Sequence, residues 1–107
     1  MRRAQYKQIN VDDQEAVDEF HAKVNMTGRE LEAWLATGEA VADEPVRRIV
    51  SILGKRRVDY NSSDIAHMRK VVGYINRHLA QRPEGPTDPA WRQSLLHWGH
   101  DPDKTQA

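Results

Sequence analysis

The stretch Asn61–Pro83, NSSDIAHMRKVVGYINRHLAQRP, decides the fold class. At about 100° per residue, Ile65, Met68, Val72, Ile75 and Leu79 fall within an arc about 80° wide, the apolar stripe of a helix with one side in a core. Asn61 or Ser62 supplies the side-chain oxygen that satisfies the first free amides, and Pro83 with Gly85 ends the run. His67, Lys70, Tyr74, Arg77, His78 and Arg82 gather on a second face, centred about 130° from the first. A third line, Ala66, Gly73 and Ala80, runs between them at seven-residue intervals. Glycine in mid-helix costs about 1 kcal/mol against alanine. The line is therefore either a seam where another helix comes close or a plain boundary of small residues.

Helix signals continue on both sides of this stretch. Asp12 or Asp13 can cap a first helix reaching about Val24, with Val17, Phe20 and Val24 on one face. Thr27-Gly28-Arg29-Glu30 is a capping box, after which Leu31, Trp34 and Leu35 face inward until Gly38. Pro45 suits a first helical turn ahead of Val46, Ile49, Val50 and Leu53, and Gly54 closes that helix. Asp88-Pro89 opens the last helix, with Trp91, Leu95 and Trp98 as its stripe, and Gly99 and Pro102 end it. The expectation is an all-α, single-domain bundle of about five helices. Residues 11–100 form the domain, residues 1–10 a flexible N-terminus and residues 101–107 a flexible tail.

Composition narrows the function. A chain of 107 residues fits one domain. It is 38% hydrophobic and 30% charged, with a mean hydropathy of −0.82, and no apolar run approaches the roughly 20 residues of a membrane span. MRRAQYKQIN at the start has no apolar segment behind its arginines, so no secretory signal is expected. Without cysteine there is no disulfide, thiolate nucleophile or Cys-ligated zinc. A cytoplasmic protein with no membrane contact is the default.

The net charge of zero conceals an asymmetry. Residues 10–44 carry ten acids against Lys23 and Arg29, a net of −8, and residues 45–82 carry nine bases against Asp59 and Asp64, a net of +7. Either the basic half faces an anionic partner, or the two halves dock and neutralise each other.

No catalytic constellation stands out. His67 and His78 lie eleven residues apart, about 16 Å along a helix, too far to share one metal ion. His97-Trp98-Gly99-His100 lacks the i, i+4 ligand spacing. His97 suits a helix C-terminus, and His100 a loop. Asp59 and Tyr60 position a turn, Ser62 and Ser63 belong to capping, and the three tryptophans sit at core positions. There is no glycine-rich phosphate loop, HExxH or GxSxG. Neither enzymatic activity nor a metal or cofactor is expected.

Three blocks in order, VNMTGRELEAWLATGEA, RRIVSILGKRRVDYNSSDIAHMRKVVGYINRHLAQRP and WRQSLLHWGHDP, resemble a family of small bacterial and fungal proteins. That family is classed as a domain of unknown function (DUF3140-like). The resemblance covers roughly residues 20–102, and NSSDIAHMRK departs from it in having less acid before the histidine. Some members carry a DNA-binding tag, so the resemblance implies nucleic-acid binding but transfers no site residue.

The connector GKRRVDYN, residues 54–61, is twice the length of a helix-turn-helix turn, and Asp64 in the next helix would repel phosphates. Base reading is not expected. The expected function is weak, largely sequence-independent binding of double-stranded DNA through Lys55, Arg56, Arg57, Lys70, Tyr74, Arg77 and Arg82. The alternative is a protein-interaction or homodimerisation module using Ala66, Gly73 and Ala80.

Overall fold

The structure is a computed structural model that describes residues 11–38, 42–81 and 88–104. Among the described residues five α-helices follow one another: α1 (Val11–Lys23), α2 (Gly28–Ala36), α3 (Glu44–Leu53), α4 (Ser62–Ala80) and α5 (Pro89–His97). A single 3₁₀ turn, Arg57–Asp59, lies between α3 and α4. Among the described residues there is no strand, and no helix is long and apolar enough to cross a membrane. Arg82, Pro83 and Gly85, the first ten residues and residues 105–107 lie outside the described residues.

The helix starts are chemical. The Thr27 hydroxyl accepts from Glu30 N at 3.0 Å while Thr27 N donates to the Glu30 carboxylate at 2.9 Å. Asn61 and Asp64 repeat the arrangement on α4 at 2.8 and 3.1 Å. Asp88 accepts from Ala90 N ahead of α5, and Asp43 caps α3 with Pro45 in its first turn. Each cap satisfies an amide that has no carbonyl one turn back. On α1 the helix begins at Val11, so Asp12 and Asp13 fall inside the first turn, where they favour the dipole without capping it.

α4 is the axis of the core. α1 packs along it on one side, and α3 and α5 pack on the other. Because it is covered from two sides, its buried arc is wider than a one-sided stripe. Ile65, Met68, Val72 and Ile75 are buried as expected, and Val71, Asp64 and His67 join them. Leu79, expected in the core stripe, is only half-buried. On α3 the same geometry buries Ile52 beside Val46 and Ile49 and leaves Val50 and Leu53 at the margin.

Residues 98–104 follow α5 and dock on the α1–α2 connection. Gly99 has φ +85°, and a Cβ there would lie 2.9 Å from Val24 Cγ1, so both backbone and space require glycine. The close approach lets Met26 N donate to Gly99 O at 3.2 Å. Residues 101–104, expected as tail, are engaged: Asp101 exchanges two hydrogen bonds with the Asn25 side chain, and the Lys104 ammonium reaches Asn25 O and Glu30, both at 2.6 Å.

Candidate nucleic-acid interface

The polar side of α4 divides in two. Lys70 and Arg77 stand exposed, in line with exposed Ala66, Gly73 and Ala80. The other half of the expected face is a packing flank. His67 is buried and donates from Nε2 to Pro45 O at 3.1 Å, which joins α4 to the start of α3. Tyr74, expected to touch nucleic acid, is half-buried with its ring stacked on Trp98 at 4.3 Å and on His78 at 4.6 Å. His78 donates to Tyr74 O at 3.0 Å, and Trp91 Nε1 donates to His78 O at 2.7 Å. A wheel cannot separate these halves, because imidazole and phenol serve equally as surface and as packing groups.

The KRR cluster is held by carboxylates of the chain itself. The Lys55 ammonium bonds Asp64 at 2.6 Å, Arg56 pairs with Asp59 at 3.1 Å and Arg57 reaches Asp18 on α1 at 3.2 Å. Arg69 pairs with Asp13 of α1 at 2.8 Å. Two acids of the N-terminal segment thus neutralise two bases of the basic half. These contacts differ in kind. Asp64 is buried, and burial pushes its carboxyl pKa up. The Lys55 hydrogen bond, the Asn61 amide and the nearby Arg48 outweigh burial and hold it below the ordinary carboxylate range. Lys55 is therefore part of the fold. Arg56–Asp59 and Arg57–Asp18 are exposed pairs, a class whose contribution is about 0–1 kcal/mol.

Among the described residues, Arg47, Lys70 and Arg77 form no ion pair with an acid, and Arg48 touches Asp64 only at 3.9 Å. Arg47 donates to Ala42 O and Arg48 to the Ser63 hydroxyl, which orients both guanidinium groups at the α3 surface. Arg48, Lys70 and His67 line an open notch of about 180 Å³ between α3 and α4, with Glu44 and Pro45 on its rim. Burial pushes the His67 imidazole below its ordinary value, Arg48 and Lys70 add to this, and the bond to Pro45 opposes it. These effects favour the neutral form of the ring beside the two cations. Arg47 and Arg48 belong to the basic segment in sequence, but only the placement of α3 beside α4 brings Arg48 next to Lys70.

The other histidines also have structural partners. His97 Nε2 lies 3.1 Å from both Asp43 oxygens, His100 donates to Lys23 O at 2.6 Å and His21 lies 3.0 Å from the Tyr60 hydroxyl. His97, expected to interact with its own helix end, instead ties α5 to the cap of α3. Among the described residues, no three His, Asp or Glu side chains converge as a metal site would require.

A family model described as "Protein of unknown function (DUF3140)" matches residues 19–96. No curated protein and no solved structure matches the chain.

Proposed function

Because the chain belongs to this DUF3140 family of unknown function, its role must be sought on its own surface, and we propose that it binds the phosphate backbone of double-stranded nucleic acid. The binding is weak, non-catalytic and indifferent to base sequence. Lys70 and Arg77 of α4 carry it, with Arg47 and Arg48 of α3 beside them. The observation that supports this reading is the exposed line Ala66, Lys70, Gly73, Arg77, Ala80, in which two cations with no acid partner among the described residues alternate with the smallest side chains. Lys70 and Arg77 stand about 10.5 Å apart along the axis, and no bulky group between them keeps the helix away from a charged backbone.

Arg56 and Arg57 can join by exchanging an exposed carboxylate for a phosphate, since each leaves a weak pair. Lys55 and Tyr74 are excluded from this contact set, because one holds Asp64 and the other stacks on Trp98. So few contacts, with α1 acids nearby, place the affinity in the non-specific range of about 10⁻⁴–10⁻⁶ M. The cytoplasm expected from the cysteine-free composition suits such a ligand.

Fluorescence anisotropy with a random duplex tests the proposal. Binding at low salt should fall steeply as salt rises. The double change Lys70→Gln, Arg77→Gln should flatten the slope of log K against log salt by about 2, because each phosphate contact contributes about 0.9. No binding at low salt, or an unchanged slope in the double variant, overturns it.

A further inference from the structure

The exposed line on α4 borders a groove of about 480 Å³ between α1 and α4, open to solvent and floored by Val72 and Gly73. Its α1 wall is acidic: Asp12, Glu15 and Glu19 are exposed, on one helix face, and in no ion pair among the described residues. Arg69 on the α4 side is engaged by Asp13. On the far side of Gly73 stand Lys70 and Arg77. One surface thus carries an acidic row and a basic row, neither in an ion pair among the described residues, with a low strip between.

Among the described residues, no neighbour accounts for Gly73. A Cβ there would meet nothing within 4 Å among the described residues, so neither close packing between them nor a positive φ accounts for a helix-weakening residue in the middle of their longest helix. Its smallness keeps the strip between the two rows low enough for a second surface to approach.

We infer that a second copy of this chain docks on this groove. A two-fold axis passing near Gly73 places the acidic row of each copy against the Lys70–Arg77 row of the other, so the two rows that meet are of opposite sign. A nucleic-acid backbone satisfies only one of the two rows, whereas a second copy satisfies both. Self-association stands independently of the nucleic-acid reading. If that reading also holds, the two ligands compete for Lys70 and Arg77.

Charge exchange tests this. The parent should sediment as a dimer at low salt and shift to monomer near about 0.5 M salt, where the screening length is only a few ångströms. Glu15→Lys with Glu19→Lys should give a monomer, and so should Lys70→Glu with Arg77→Glu, since each then presents two rows of one sign. Mixed one to one, the two variants should form a heterodimer, because every contact is again complementary. Gly73→Leu should stay folded by circular dichroism and lose the dimer. A parent that remains monomeric at low salt overturns the inference, as does a mixture that fails to pair while the parent dimerises. Titrating random duplex into the parent dimer separates the two proposals. Release of monomer–duplex complexes supports both. A persistent dimer with no bound duplex overturns only the nucleic-acid reading.

Discussion

The segment Trp98–Lys104 and the loop Lys55–Tyr60 are both short, polar and attached to the end of a helix, yet they are held in different ways. In the first, Trp98, Gly99 and His100 are buried, and their partners are Tyr74, Val24, Met26 and Lys23, all distant in sequence. In the second, Tyr60 is buried and Lys55 half-buried, while Arg56, Arg57 and Asp59 stay in water in pairs that solvent screens. A polar contact holds a fold when it replaces water at a site water cannot reach, and contributes little where water competes. The first segment is accordingly a clamp closing the bundle. The second is anchored at its two ends, Lys55 and Tyr60, with solvent-exposed charges between them.

The largest effect that can break this comparison is at Trp98. Trp98→Ala removes a buried ring stacked on Tyr74 and should cost about 3–5 kcal/mol in urea denaturation. A cost below about 1 kcal/mol, the level of an exposed pair, would erase the distinction between clamp and loop.

A middle-sized effect is expected at Lys55. Lys55→Met leaves the buried Asp64 carboxylate without its ammonium partner and should cost about 1–3 kcal/mol at neutral pH. The sign with pH follows from the lowered carboxyl. Asp64 contributes stability that is complete above the unfolded value of about 3.9 and is lost as pH falls through the lower folded value. Without Lys55 the folded value rises, so the midpoint of acid unfolding, followed by circular dichroism, should move to higher pH. An unmoved midpoint would mean that Asn61 and Arg48 suffice to hold Asp64 charged.

The smallest effect should come from Arg56→Gln, which loses only the exposed pair with Asp59. Thermal and urea unfolding should agree with the parent to within about 1 kcal/mol. A larger loss would move Arg56 from the ligand-available set to the fold.

How far sequence reading reaches depends on whether a residue's partner is local. Thr27 with Glu30 and Asn61 with Asp64 are three residues apart, a spacing that helix geometry alone turns into mutual caps, so both helix starts are legible. Arg57 with Asp18 and Asn25 with Asp101 are separated by 39 and 76 residues, and no periodicity encodes such meetings. The candidate site was legible to the same degree. That Lys70 and Arg77 share a helix face follows from their spacing, but that Tyr74 and His67 leave the open surface follows from where α5 and α3 dock.

The sequence by itself determined the helices, their caps and the apolar stripes, because each rests on contacts within a turn or two of chain. It also determined the total charge and its division between the halves. Only the tertiary structure decided which of the described cations pair with a carboxylate, why Gly99 must be glycine, and that Gly73 is exposed. Those outcomes depend on which surfaces of α1, α3 and α5 meet α4, and a single helix wheel carries no information about the neighbours that will cover it.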